Sequence, residues 1–372
     1  MPFRIFVLSA GSLLGENVLD ALEGRRDLVF LIGADASPRH PRLFRYDQIY
    51  LVPSFEDTDA FQTRILEILD REKPDLILPG RDHDVLFLAK LRDAIPSLAK
   101  CIPCGAVPLA EMMWDKWESF LFCQRHQLPF ADTISTEHAT SGEVLDFARR
   151  HGFPLIAKPR QGYGTIGVRI LFEQGQVDRV ASMPGMVLQP FLAAPPNLRS
   201  YLPNESEGWP FFYYFEETGQ YAGQAILGPN GSIEGLFGSR NHMVIGRVEQ
   251  STPCIEPALT ETLSQFASVV AKEGWCGPFN IQYRRLPDGS FVAFEMNGRM
   301  TGSTSARRLL GFDEIGLTAK AFTGVSLPIG CPVYPDLGVV FRSLKDDCVS
   351  PDWVSQLEQT RQFSGSGEKS YS

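Results

Sequence analysis

Apolar runs and amphipathic stretches alternate through the first hundred residues. RIFVLSA (4–10) is an apolar run of strand length, GENVLDALEG (15–24) has helical spacing and stops at Gly24, and LVFLIGAD (28–35) is a second apolar run. QIYLV (48–52) predicts a third strand, TDAFQTRILEILDREK (58–73) an amphipathic helix, and DLILPGRD (75–82) a fourth strand. Continuous apolar strands separated by helices predict an α/β fold with a parallel sheet covered on both faces. Gly11 and Gly15 follow the first strand without the GxGxxG spacing of a dinucleotide loop, so Asp35 at the end of strand two is weak support for a dehydrogenase.

The pattern then changes. WDKWESFLFCQRHQLPFADT (114–133) starts a helix at Asp115 and Lys116 and ends it near Pro129; VLDFARRHG (144–152) is a helix stopped by Gly152. FPLIAKPRQGYGTIGVRILF (153–172) is a strand that delivers Lys158 into a glycine-rich turn. There Gly162, Gly164 and Gly167 let backbone N–H groups approach a phosphate, and Thr165 adds a hydroxyl; an ordinary hairpin turn uses glycines the same way. GMVLQPFL (185–192) reads as a strand running into an extended hinge. In such a hinge the carbonyl of Pro190, which lacks an N–H, would accept from an adenine amino group, and the Leu192 N–H would donate to the ring. GSFVAFEMNGRM (289–300) has strand character and spaces Glu295, Asn297 and Arg299 two apart, which predicts one shared face.

The 372 residues are too many for one ordinary core, and 44% hydrophobic with 21% charged residues is the composition of a globular protein. A net charge of −9 argues against a broad grip on nucleic acid or an anionic membrane, and no apolar run reaches the roughly 20 residues of a membrane helix. MPFRIFVLSAG has a signal-peptide flavour, but Glu16 and Asn17 follow a brief apolar run, so a buried first strand is the better reading. Seven scattered cysteines fit a reducing cytoplasm, and the lone Cys101–Cys104 pair reads as loop packing.

Taken in order, Lys116, IAKPRQGYGTIGV, VLQPFL, FNIQY and FEMNGRM resemble the ATP-grasp superfamily, in particular the branch containing carbamoyl-phosphate synthetase and many carboxylate–amine ligases. LPGRDHD also resembles that family's P-x-x-D-x-E pattern, with Asp84 in place of Glu. The resemblance implies a Rossmann-like pre-ATP-grasp domain over 1–110, a small subdomain with the glycine-rich loop over 111–192, a large subdomain with the metal site over 193–330, and a C-terminal segment over 331–372. It implies that Lys116 and Lys158 contact ATP phosphates, that Gln282, Glu295 and Asn297 hold Mg²⁺ (or Mn²⁺), and that Arg299 faces the transferred phosphate or a developing oxyanion. Hard oxygen donors suit Mg²⁺, which keeps waters and phosphate oxygens in its shell. Gln189, Pro190 and Leu192 would line the nucleotide site with Gly162, Gly164 and Thr165, and Arg247 is the preferred basic residue for phosphate or substrate carboxylate.

This chain departs from the family where relatives carry an acidic ribose contact. GWPFFYYFEE (208–217) offers none at 210–212, leaving Glu205, Glu207 or Gln189 as substitutes, and its aromatic run reads as strand core. Arg307 and Arg308 begin a helix, one of them available to a substrate carboxylate and the other at the surface. LGVVFRSL reads as a strand, PDWVSQLEQTRQF as a helix and SGSGEKSYS as an unstructured tail. No internal repeat is visible, which argues against carbamoyl-phosphate synthesis itself. The activity implied is ATP-dependent, ADP-forming C–N ligation of a small carboxylate and an amine, with amino acids expected, through an acyl phosphate. Bicarbonate phosphorylation and non-catalytic nucleotide binding are the alternatives. A homodimer is compatible with this reading.

Overall fold

In this computed structural model residues 1–162, 164–194, 209–210, 217–244, 247–328, 338–343 and 347–365 are described. Strands β1 (Phe3–Val7), β2 (Val29–Asp35), β3 (Gln48–Leu51) and β4 (Leu76–Leu78) lie parallel in the order 3-2-1-4. Helices α1 (Leu13–Ala21), α2 (Thr58–Glu72) and α3 (Asp82–Ala94) alternate with them. Alternation divides the apolar strands between two cores: Phe6, Leu8 and Ile32 enter one, Ile5, Val7 and Leu31 the other. Both faces are therefore covered, as a parallel sheet requires.

Helices α4 (Val107–Trp114) and α5 (Lys116–Arg125) lead into a second, antiparallel sheet. It contains β5 (Ile134–Ser135), β6 (Leu155–Pro159), β7 (Arg169–Leu171), β8 (Met186–Pro190) and β9 (Trp209–Pro210), in the order β5-β8-β6-β7-β9. Helices α6 (Ser141–His151) and α7 (Gln174–Ala181) cover one face. Helix α6 opens on a capping box between Thr140 and Glu143 and ends at Gly152, whose φ of 71° places it in the region glycine favours.

A third sheet has the order β14-β13-β10-β11-β12-β15 and is antiparallel throughout. Its strands are β10 (Glu217–Leu227), β11 (Ile233–Val244), β12 (Arg247–Pro253), β13 (Gly277–Arg285), β14 (Phe291–Asn297) and β15 (Val340–Phe341). Tyr221, Phe279, Ile281 and Tyr283 face helix α8 (Pro257–Lys272) and join Leu259, Leu263 and Phe266 in one core. Gly223 is needed there, because a Cβ would stand 2.8 Å from Leu263 Cδ1. The opposite face is polar and carries the site.

Helices α9 (Thr304–Leu309) and α10 (Glu314–Thr323) follow β14. Both arginines of α9 are buried, contrary to the expectation of one at the surface; Arg307 Nε bonds Glu314 Oε1 at 2.5 Å, so it is committed inside the fold. The strand expected over LGVVFRSL reduces to β15. The chain then returns to the first sheet: α11 (Pro351–Thr360) precedes β16 (Gln362–Ser364), which pairs antiparallel with β3. Ser364, expected in the tail, is thus paired with Gln48, while 366–372 lie outside the described residues. Residues 205, 207 and 211–216, with the ribose candidates and the aromatic run, also lie outside them. Among the described residues no helix is long and apolar enough to cross a membrane.

Candidate active site

Strands β10, β13 and β14 present a polar face built by alternation. Register pairs Gln282 with Glu295, Asn280 with Asn297, and Gln220 with Arg284. A register shift lies between Gln282 and Tyr283, where Phe294 is the extra residue of β14. Its ring lies 4.6 Å from Lys158 Nζ, which extends from β6 of the second sheet. The bulge therefore brings the lysine of one sheet beside the carboxylate strand of the other. Gln282 Oε1 accepts from Gln220 Nε2 at 2.7 Å, which orients its amide. On the same face the buried Gln224 amide has no hydrogen-bond partner among the described residues.

Lys158 is 7% exposed. Burial pulls its pKa down to about 7; Glu295 opposes the shift, and the charges of Lys116 and Arg284 add to it. Its Nζ donates to Gln189 Oε1 at 2.8 Å, and Gln189 Nε2 donates to Thr133 Oγ1 at 3.0 Å. Both ends of the Gln189 amide are thus occupied, one of them by Lys158. Lys116 opens α5 behind Asp115, which caps the helix and pairs with Arg160 just before the glycine loop. Its Nζ lies 3.5 Å from the Gly162 carbonyl. Gly162, Gly164 and Gly167 have φ of 148°, 63° and 76°, and a Cβ on Gly164 would meet nothing within 4 Å. Thr165 Oγ1 donates to the Gly164 carbonyl at 2.6 Å.

The hinge differs from expectation. Leu192 N–H donates to the Pro190 carbonyl at 3.0 Å, so the two groups expected to hold adenine bond each other here. Arg299 also differs. It lies past the end of β14 and forks onto Asp82 at the start of α3, with Nε–Oδ1 at 2.5 Å and Nη2–Oδ2 at 2.8 Å. Nη2 also reaches Asn297 Oδ1 at 3.3 Å, and Nη1 donates to the Met300 carbonyl at 3.2 Å. Burial works against the Arg299 charge, but Asp82 and then Glu295 outweigh it and its pKa is raised. LPGRDHD does not by itself mark Asp82 as the partner of Arg299, because the two are 217 residues apart. Arg284 was missed as a site residue. It is 5% exposed, its guanidinium carbon lies 5.2 Å from the Phe191 ring and 5.8 Å from the Phe294 ring, and burial lowers its pKa to about 10. Its place two residues after Gln282 was the available signal. The Arg247 side chain lies outside the described residues.

The donor set fits a hard divalent cation: one carboxylate and two amide oxygens on a shared face, with room in the shell for phosphate oxygens. Two buried lysines and an open glycine turn beside it fit a polyphosphate.

No protein-family model matches the chain. It is 25% identical over 198 residues to the carbamoyl phosphate synthase large chain of Beutenbergia cavernae, a match that covers 50% of this chain and 16% of that relative. The chain thus spans about a sixth of the length of that curated relative. Among solved structures it superimposes on the N5-carboxyaminoimidazole synthetase of Staphylococcus aureus complexed with ADP, with a TM-score of 0.65, 15% identity and coverage of 88% of this chain and 79% of the other. The N5-carboxyaminoimidazole ribonucleotide synthetase of Thermotoga maritima gives 0.60, 19%, 88% and 77%. The biotin carboxylase domain of the 2-oxoglutarate carboxylase of Hydrogenobacter thermophilus, solved with MgADP, ADP and bicarbonate, gives 0.62, 15%, 88% and 71%. The chain has the ATP-grasp fold, as its motifs implied.

Proposed function

We propose that this chain is an ATP-dependent, ADP-forming ligase that joins a small carboxylate, expected to be an amino acid, to an amine through an acyl phosphate. The observation that carries the reading is Lys158 of the second sheet held over Phe294, the residue before Glu295, at the meeting of two sheets. Lys116 and Lys158 neutralise phosphate oxygens, and the backbone of 162–167 covers them and keeps water from the activated carboxylate. Magnesium, or manganese in its place, would be held by Glu295 and Asn297 with Gln282 beside them and would supply charge neutralisation on the phosphates. Arg299, fixed by Asp82, keeps one Nη1 N–H uncommitted to any described residue, and this is the donor it offers to a developing oxyanion. Adenine binding requires the Leu192–Pro190 bond to open, or the carbonyl to use its second lone pair. Arg247 is assigned to phosphate or substrate carboxylate on its place in β12 alone.

The test is ¹⁸O transfer. Pairs of amino acids are incubated with the protein, MgATP and ¹⁸O-labelled carboxylate; the expected result is ADP formation matched by product, with one labelled oxygen in the released phosphate. ATP binding without ADP formation from any pair overturns the reading. Bicarbonate is a second reading because a structural neighbour was solved with that anion; bicarbonate-dependent ADP formation without an amino acid selects it.

A further inference from the structure

A cavity of about 310 Å³ opens at the carboxyl ends of β1, β2 and β3, beside the start of α3. Strand order reverses beside β1, whose neighbours are β2 and β4, and such a crevice is where open parallel sheets bind ligands. A dinucleotide does not fit the neighbouring loop: a Cβ on Gly11 would fall 2.5 Å from the His40 ring, so that ring stands against the glycine a pyrophosphate would approach. The Asp35 carboxylate, on the cavity floor, accepts from Gly11 N at 2.8 Å and from Ser37 N at 3.0 Å.

The wall is built from within. Asp84 is fully buried; its Oδ2 takes the N–H groups of Gly80 and Arg81 at 3.0 and 2.8 Å, and its Oδ1 takes the Ser9 hydroxyl at 3.2 Å. The same oxygen lies 3.2 Å from His83 Nε2, and the His83 ring lies 4.5 Å from the Phe55 ring. This fixes Ser9, His83 and Phe55 around the opening. Two charged residues line it, half-buried Arg81 and exposed Glu56, and neither makes an ion pair with any described residue. They come from different walls, the start of α3 and the loop after β3. Asp82, between Arg81 and His83, is the residue that holds Arg299.

We propose that this cavity binds the α-amino acid whose carboxylate is activated, with that carboxylate on Arg81 and its ammonium on Glu56. The proposal rests on the ligase reading above for the activation step, and on the cavity alone for the binding. One arginine against two carboxylates disfavours a phosphate monoester and favours a zwitterion. The size, at the low end for small-molecule sites, suits a single amino acid. The orientation follows from neighbours: Arg81 adjoins Asp82 and hence the clamp, whereas Glu56 lies on the far loop. In the activation step a carboxylate oxygen forms a bond to the γ-phosphorus, the bond from that phosphorus to the β–γ bridging oxygen breaks, and its electron pair leaves with ADP.

The experiment uses the full chain and, as probes, the free proteinogenic amino acids, their C-terminal amides, their N-acetyl forms and ribose 5-phosphate. Binding is read by calorimetry and by thermal shift. At least one free amino acid is expected to bind, its amide and N-acetyl forms about tenfold or more weaker, and the sugar phosphate not at all. Arg81→Met and Glu56→Gln should each weaken the free amino acid about tenfold to a hundredfold while the unliganded melting temperature stays at the wild-type value. The amide comparison on wild-type protein stands even where a variant misfolds. Failure of every free amino acid to bind overturns the site, as does equal binding by Arg81→Met or competition by ribose 5-phosphate. ADP formation with equal KM in wild type and Arg81→Met also overturns the site and leaves the ligase reading standing. Amino-acid binding that depends on Arg81 without any ADP formation supports the site and removes the ligase reading.

Discussion

Single side chains decide how this site responds to pH and to mutation. Lys158 has a pKa near 7 in the folded chain against 10.5 for an ordinary lysine. Between those values the unfolded chain holds a proton that the folded one has lost, so stability contributed by this residue rises with pH across that window; below about pH 7 both states are charged and the full cost of burying the ammonium is present. Lys158→Met should therefore raise the melting temperature near pH 7, by about 2–4 °C for each kcal/mol of relieved burial, while abolishing ATP affinity. Phosphates favour the ammonium, so nucleotide binding should take up a proton, and ATP affinity should fall with pH above about 7 by at most tenfold per unit. Calorimetry in two buffers of different ionisation enthalpy checks the uptake; a pH-independent affinity would detach Lys158 from the phosphates.

Arg299 behaves differently because it is paired. Arg299→Met removes a donor expected to be worth about 10²–10³ in rate, but it also strands the Asp82 carboxylate, whose side chain is 14% exposed. Breaking such a pair from one side costs about 3 kcal/mol or more, so the single variant should lose stability as well as rate. Asp82→Asn combined with Arg299→Met should regain most of the stability and none of the rate. Denaturant unfolding of the two singles and the double closes the cycle, and additive losses would show that the fork is not an energetic pair.

Elements explain what was legible in the chain and what was not. The parallel sheet was readable because strands buried on both faces must be apolar throughout, and α6 because Thr140, Glu143 and Gly152 mark its ends. The row Glu295, Asn297, Arg299 was read as one strand face, and this holds for the first two. Arg299 leaves the strand and takes its direction from a carboxylate on α3, which no local period encodes. The bulge at Phe294 was equally invisible, since it depends on how β13 and β14 pair. Gln189 is offered by the sequence as a substitute for the missing acidic ribose contact; its two partners come from β6 and from Thr133. Arg284 tests whether the face is the functional unit. It shares the face with Gln282 and acts on Lys158 across the sheet boundary. Arg284→Leu keeps contact with Phe191 and Phe294 but removes a charge that repels the Lys158 ammonium. The expected outcome is an upward shift of the pH midpoint for nucleotide binding with the fold retained. An unchanged midpoint would mean that the two cations do not share one cleft.

At the scale of the whole molecule, the end of the chain supports its beginning. β16 pairs with the edge of β3, and Phe363 and Leu357 enter the core beneath the first sheet. The Phe363 ring centroid lies 5.1 Å from that of Phe44 and 5.6 Å from that of Trp353. Without this segment β3 would present an open edge, and the apolar surface under it would meet water. A chain ending at residue 350 loses two buried apolar side chains, each worth about 2–5 kcal/mol, together with three paired residues of strand. The expected outcome is a melting temperature lower by about 8 °C or more and greater aggregation on heating. The residues proposed to hold the nucleotide lie outside the first sheet, so ATP affinity at low temperature should remain within about threefold of wild type. The first sheet also borders Asp82 and the cavity proposed for the amino acid, so turnover should fall more steeply than affinity as the truncated chain is warmed. Parallel melting, ATP titration and ADP formation on both chains check this. A truncated chain that melts with the full one would mean that the segment rests on the sheet without stabilising it. A loss of ATP binding equal to the loss of turnover would mean that the three sheets unfold as one unit and that the division of labour among them is wrong.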